Sequence, residues 1–193
     1  FNISASSAVN WAVVDRILIA PTQGTGTADV AERFTTAITG INPRLVSFNA
    51  SLPAARVLTS TTVILVANLT RNVVIRSSGT DTFSNAAFLH SLASHATGFI
   101  AQQAEFVDLG VNSGPLTQTG LAFSAGASGF LSSSAFRGGY NGVYFDAARG
   151  TVSASVMAFN INGAQSVGAA NVLVEGSVTA GNTSVGLQLA DSA

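Results

Sequence analysis

The chain has 193 residues, of which 47% are hydrophobic and only 9% charged, and its net charge is −1. Average soluble proteins carry roughly 25% charged residues; here the nine acids and eight basic residues form neither the basic stripe that phosphate neutralisation needs nor a polybasic membrane patch, so nucleic acid is not expected as a partner. Mean hydropathy is +0.43, too apolar for disorder, yet the run Val63 to Ala67 stops far short of the roughly 20 residues of a membrane span, and no membrane insertion is expected.

All eight basic residues are Arg, and Cys is absent. These absences remove disulfides, thiolate metal sites, a thiol nucleophile, Schiff-base chemistry and a P-loop. Without disulfides, stability must come from a repetitive, well-packed core. The chain opens at Phe1 with no Met and no apolar leader, as expected of a processed chain or an excised domain. Asn2, Asn49, Asn68 and Asn182 each begin an N-x-Ser/Thr acceptor sequence, so they are the candidate glycosylation sites. Low charge and these sequons together predict an extracellular or cell-surface location.

In chain order, Trp11 to Ile19 reads as a strand stopped by Pro21 and the Gly24/Gly26 turn. A helix is predicted next: Thr27 or Asp29 can cap it, Val30, Phe34, Ala37 and Ile38 fall at helical spacing, and Gly40 and Pro43 end it. Such a helix would cover the open end of a sheet. From Leu45 onward short β-rich runs alternate with Gly, Ser and Asn: Leu45–Phe48, Thr62–Ala67, Asn72–Ile75, Ala86–Leu89, Gly98–Phe106, Gly120–Phe123, Val143–Phe145, Thr151–Phe159, Asn171–Val178 and Ser184–Leu189.

Three segments begin alike, at Gly98, Gly120 and Gly142, 22 residues apart each time, and each leads to a later Phe: Phe106, Phe136 and Phe159. A recurrence near 22 residues fits one coil of a parallel β-helix. The expectation is therefore an all-β fold in a single domain, 1–193. Residues 1–43 would supply an N-terminal strand and a short helical cap, and residues 44–193 a parallel β-solenoid body. The alternative is a β-sandwich filament subunit that donates Phe1–Ala20 as a strand to a neighbour.

The stretches Asp81–Phe88 and Gly98–Phe106, with Gly139-Tyr140-Asn141-Gly142-Val143-Tyr144 and Val167–Val174, resemble the coils of pectin methylesterases over roughly the last 110 residues. The resemblance implies a right-handed parallel β-helix of the pectin lyase-like superfamily. In that family a carboxylate pair hydrolyses methyl esters beside an oxyanion-stabilising Gln and a substrate-binding Arg. At the matching positions this chain has Asn141 for the Gln, Gly142 for the first Asp and Ala164 for the second, and no Arg follows Val174. The resemblance thus implies the fold without the catalytic residues. A shorter stretch, Val13-Val14-Asp15-Arg16-Ile17-Leu18, resembles the closing strand of fasciclin-type adhesion domains.

Elsewhere, His90 and His95 are spaced i, i+5 with no third ligand near them, so no metal is expected. There is no G-x-S-x-G elbow for a Ser nucleophile, and Gly24-Thr25-Gly26 lacks the Lys of a phosphate loop. Arg137, Tyr140, Tyr144 and Asp146 would share one lateral face of a β-helix, where tyrosine faces can stack on sugar rings, and are the candidate glycan-binding residues. Asp81, Glu105, Asp108 and Asp146 are the acids in reserve for a polyuronate esterase or lyase, the enzymatic alternative. The leading expectation is a non-catalytic structural or adhesive protein without cofactors. It would present its surface to polysaccharide or to like subunits in a filament.

Overall fold

The computed structural model describes residues 2–4, 11–20, 22, 34–42, 45–53, 66–70, 73–93, 98–112, 115, 118–168 and 171–190. Among them there is no α-helix, and the fold is all-β. The chain divides into two compact units, Phe1–Thr70 and Arg71–Ala193, where the sequence reading has one domain over 1–193 with its body beginning at residue 44.

The first unit contains β1 (Asn2–Ser4), β2 (Arg16–Ile19), β3 (Phe34–Asn42), β4 (Leu45–Phe48) and β5 (Val66–Asn68). They form an antiparallel sheet in the order β1-β4-β3-β2-β5. Ile17, Ile19, Ile38, Val46 and Phe48 make its core. The predicted capping helix is replaced over its second half by β3. Five of the nine β3 residues are β-branched, and Phe34 to Ala37 pair with Ile19 to Arg16, so tertiary pairing overrides the helical spacing of the apolar residues. The first half of that segment lies outside the described residues. Within Phe1–Ala20, the stretch proposed for donation to a neighbour, both β1 and β2 pair inside their own chain.

Val14, in the turn before β2, has φ +74° and is 77% exposed. A β-branched residue in the left-handed region costs about 1–2 kcal/mol, and little packing is available here to offset it. Val14→Gly is expected to stabilise this unit by about 0.5–1 kcal/mol, after Gly's greater unfolded-state entropy is subtracted. A higher melting temperature for the variant is the check.

The second unit contains fourteen described strands. They are β6 (Val73–Arg76), β7 (Leu89–Ser91), β8 (Phe99–Gln102), β9 (Ala104–Val107), β10 (Gly120–Phe123), β11 (Ser128–Ser132), β12 (Ala135–Arg137) and β13 (Asn141–Asp146), followed by β14 (Arg149–Ser153), β15 (Val156–Ala158), β16 (Asn162–Val167), β17 (Val172–Glu175), β18 (Val178–Ala180) and β19 (Val185–Ala190). Every pairing among them is parallel and joins strands three apart in the chain. Three sheets result, ordered β19-β16-β13-β10-β7, β17-β14-β11-β8 and β18-β15-β12-β9-β6.

Alternation fixes which side chains fill the middle. Inward rows run Leu121–Val143–Ala164, Ala101–Leu131–Val152 and Phe106–Phe136–Met157. Phe106 stacks on Phe136 and Phe123 on Phe145, each with ring centroids 4.9 Å apart, which is the inter-strand spacing.

The corners have a common chemistry. Where the four-stranded sheet hands over to the β6-containing sheet, Gln103, Ser133, Ala154 and Gly176 all have positive φ. The amides of Gln103, Ser133 and Ala154 each donate to a carbonyl of the following row. Beside them the Ser134 amide donates to Ser155 Oγ and the Ser155 amide to Ser177 Oγ, at spacings of 21 and 22 residues. At the next corner the Asn160 amide donates to Asn182 Oδ1, 22 residues on, while Asn160 itself accepts from Gly139 N and donates to the Phe136 carbonyl. Buried polar groups are thus satisfied row by row.

The expected 22-residue repeat holds from Gly120 onward but not before it. Gly98 leads into β8 of the four-stranded sheet, whose Phe99 pairs with Gly129, whereas Gly120 and Gly142 belong to the sheet of β10 and β13. The spacing there lengthens to 30 residues, as between Ala104 and Ser134, because residues 109–119 intervene before β10. Phe136 does stand over Phe106, but Met157, not Phe159, follows in that row. Phe159 is instead a positive-φ corner residue.

Candidate functional site

The four residues expected on one lateral face are not brought together. Arg137 points out from the β12 sheet and Tyr144 from the β13 sheet, with the Gly138–Tyr140 corner between them. Tyr144 is 1% exposed, so its ring has no face open to a sugar. Burial first, and the Asp146 carboxylate second, push its phenol above the usual value. Tyr140 and Asp146 remain partly exposed.

Arg137 is committed elsewhere. Its Nε lies 2.5 Å from Glu105 Oε1, and Glu105 is only 7% exposed. Asp108 sits at the same corner with φ +56°, and a Cβ on Gly138 would meet its Oδ1 at 2.3 Å. Burial raises the Asp108 carboxyl pKa above its ordinary value, more than the charges of Arg137 and Arg76 lower it, and Glu105 adds to the rise. The charged form is thus the one disfavoured by folding. Lowering the pH through the raised folded value toward the ordinary one lets the folded chain take up a proton first, so the penalty disappears. Asn tolerates the left-handed region and carries no charge. Asp108→Asn is expected to raise the denaturation midpoint at neutral pH, with the gain fading as the pH falls toward the ordinary carboxyl value of 3.8 and absent below it; a gain independent of pH would refute the argument.

The positions that matched catalytic residues of the pectin methylesterases are filled differently. Asn141 is buried, donating from Nδ2 to Thr119 Oγ1 at 2.7 Å and accepting from Asn162 Nδ2 at 2.8 Å. A Cβ on Gly142 would meet the Gly163 carbonyl oxygen at 2.5 Å. Ala164 faces inward in the core, paired with Val143. Neither position can hold a carboxylate toward solvent.

Among the remaining acids, Asp81 accepts from Ser84 Oγ at 2.6 Å and from the Phe83 amide at 2.8 Å, which lowers its carboxyl pKa, the hydroxyl contributing most. It closes a local turn. His90 Nε2 lies 2.5 Å from Ser124 Oγ, on the outer side of β7 and just past β10. A Ser–His contact is the first element of an acyl-transfer site, but such a site also needs an orienting group for the His and donors for an oxyanion. His95 lies outside the described residues. Among the described residues no group of three His, Cys, Asp or Glu could hold a metal ion, and no helix is long and apolar enough to cross a membrane.

Of the acceptor asparagines, Asn49 is exposed. Asn68 donates to Asp15 Oδ2 at 2.6 Å and accepts from the Thr70 amide. Asn182 donates from Nδ2 to the Met157 carbonyl at 3.0 Å, so its reactive nitrogen is already engaged. The Asn2 side chain is not described.

One surface was missed in the sequence. The outward row of the four-stranded sheet is Ile100, Phe130, Thr151 and Leu173. Ile100 is 63%, Phe130 47% and Leu173 52% exposed. Alternation in Ser128-Gly129-Phe130-Leu131-Ser132 separates Phe130 from the inward Leu131, but it does not tell which of the two faces meets solvent.

No protein-family model, no curated protein and no solved structure matches the chain.

Proposed function

We propose that the chain is a non-catalytic structural or adhesive protein of the cell exterior, whose second unit is a parallel β-helix presenting flat, rigid faces to glycans or to neighbouring subunits. A kinship with the pectin lyase-like superfamily, closest to pectin methylesterases, belongs to the same proposal. The observation that carries it is the repeating register: three parallel sheets joined by strands three apart, with rows recurring every 21 to 23 residues from β10 onward. A body stacked in this way gains rigidity from each added row and offers broad lateral sheets. Gly142, crowded by backbone, and Ala164, inside the core, support the non-catalytic part.

Binding of the full chain to a polysaccharide panel, with size-exclusion chromatography and negative-stain imaging of the same preparation, tests this reading. A monomer that binds glycan supports adhesion, and long polymers support a filament subunit. The second outcome has its own motive: β19 leaves Leu187 and Leu189 exposed, an apolar edge that a strand of a like subunit would cover. Release of methanol or unsaturated uronates from pectin, abolished by Asp146→Ala, would overturn the proposal in favour of the enzyme. Glycan mass at Asn49 would support the extracellular location, and unmodified asparagine at all four sequons would count against it.

A further inference from the structure

We infer that the outer face of the four-stranded sheet β17-β14-β11-β8 is the glycan-binding surface, and that its ligand is a neutral polysaccharide chain lying across the strands. The inference rests on the adhesive reading above and adds the site and the ligand class. The face belongs to a different sheet from the β13 segment on which the family resemblance would place substrate, and is joined to it by the Ala147–Ala148 corner.

Three outward rows make up this face. The middle row is Ile100, Phe130, Thr151 and Leu173, apolar at three of four places and about half exposed or more at those three. On one side runs Ser128 beside Arg149, with Asn171 next in line, and on the other Gln102, Ser132, Ser153 and Glu175. An apolar stripe one side chain wide therefore lies between two rows whose side chains all carry hydrogen-bonding groups, Gly98 standing beside Ser128 at the end of the first. Strands about 4.8 Å apart and rows two residues apart put the stripe at about 14 Å long, with each polar row about 6.7 Å to its side.

The dimensions select the occupant. Four strands by five residues cover about 300 Å², of which the apolar row is about a third. A stable protein–protein interface needs about 800 Å² from each partner, so a second copy or a globular partner would leave this contact too small. A lipid would have no use for the polar rows, and an extended peptide would take a sheet edge for its backbone bonds, not a face. A sugar chain has the matching asymmetry: C–H-bearing ring faces to lie on Phe130, Ile100 and Leu173, and hydroxyls along both margins within reach of Ser, Gln, Asn, Arg and Glu. An aromatic face is negative at its centre and attracts such polarised C–H groups. The face carries one cation, Arg149, and one anion, Glu175, in opposite margins. Their charges cancel, which favours a neutral chain over a polyuronate.

The test is co-sedimentation of the full chain with insoluble cellulose, chitin and mannan, with polygalacturonate gel as the charged comparison. Three variants accompany the wild type: Ile100→Ser with Phe130→Ser, Phe130→Tyr, and Gln188→Ser on the exposed outer row of β19. All alter exposed side chains, and unchanged melting confirms that they fold. The expected result is wild-type binding to at least one neutral polysaccharide, weakened about tenfold or more by the double variant. The Tyr and Gln188 variants should bind as wild type does. Equal binding by the double variant would place the glycan elsewhere and overturn the site while the adhesive reading stands. Binding to polygalacturonate alone would overturn the ligand class. No binding to any of the four materials would overturn both the site and the glycan half of the proposed function. A concentration-dependent dimer abolished by the double variant would assign the face to a second copy and overturn the inference.

Discussion

Gly142→Asp, which puts an acid where the pectin methylesterases that this segment resembles carry one, is expected to unfold the second unit and to confer no esterase activity. The Cβ alone would lie 2.5 Å from the Gly163 carbonyl oxygen, 3.1 Å from Asn160 Nδ2 and 3.2 Å from Phe136 Cβ. The first neighbour is backbone in the next row, and Gly163 is equally tight against Gly186, at 2.2 Å. Relief would therefore have to pass along the column of glycines. Gly142→Ala is expected to cost about 3 kcal/mol by overpacking. Asp adds a carboxylate in a buried site and raises the loss above about 5 kcal/mol, comparable with the whole stability of many domains. Urea denaturation followed by near-ultraviolet circular dichroism is the measurement. A Gly142→Asp protein that unfolds at the wild-type midpoint would refute the packing argument.

Arg137→Ala carries the second large expected effect, and its origin is electrostatic. The guanidinium is the ion-pair partner of Glu105, with the two side chains 24% and 10% exposed. Removing it leaves a carboxylate buried without its cation, at a cost of about 3 kcal/mol. Adding Glu105→Gln should recover much of the loss, because the amide needs no counter-charge. A double-mutant cycle of denaturation midpoints reads the coupling; additive losses would mean that Arg137 stabilises through packing of its stem alone. Loss of glycan binding in Arg137→Ala would report this destabilisation before it reported a contact with sugar.

Much of the second unit was legible as strand, although β11 and β12 were not among the expected runs. Gly120–Phe123 and, in the first unit, Leu45–Phe48 coincide with β10 and β4. By contrast Gly98–Phe106, Thr151–Phe159 and Asn171–Val178 read as single runs but are each two strands meeting at a corner, at Gln103, Ala154 and Gly176. The corner is made by one residue in the left-handed region, and Gln and Ala there send none of the turn signal that Gly or Asn would. The residues at these bends are polar or small, Gln102-Gln103, Ser153-Ala154-Ser155 and Glu175-Gly176-Ser177, but apolar residues on both sides join each run across its bend. The absent helix has a different origin, since β3 takes its form from β2 and β4, far outside a helical window.

The candidate site was less legible than the fold. Residue type identified Arg137, Tyr140, Tyr144 and Asp146 as able to hold a sugar, but whether they share a face depends on where the chain turns. The corner at Gly138, with φ +73°, places Arg137 and Tyr144 on different sheets. That Gly142 and Ala164 stand where the resembled family keeps its acids was legible, because residue type is visible in the sequence itself. That Gly142 is needed for the close approach of two backbones was not.

The serine and asparagine columns bear on how such a chain can change length. Ser134 and Ser155 occupy equivalent places 21 residues apart, and Ala135 and Val156, which follow them, are partners in one row. Excising residues 135–155 would join Ser134 to Val156 and set β9 against β15, β10 against β16 and β11 against β17, with every corner still at a left-handed position. A loss or gain of another size inside a strand would move a straight segment onto a bend, whereas the turn before β10 carries its extra residues between strands and reaches 30 residues. Change in the number of stacked strands is therefore expected in whole turns, and change of any other size in the connections between strands.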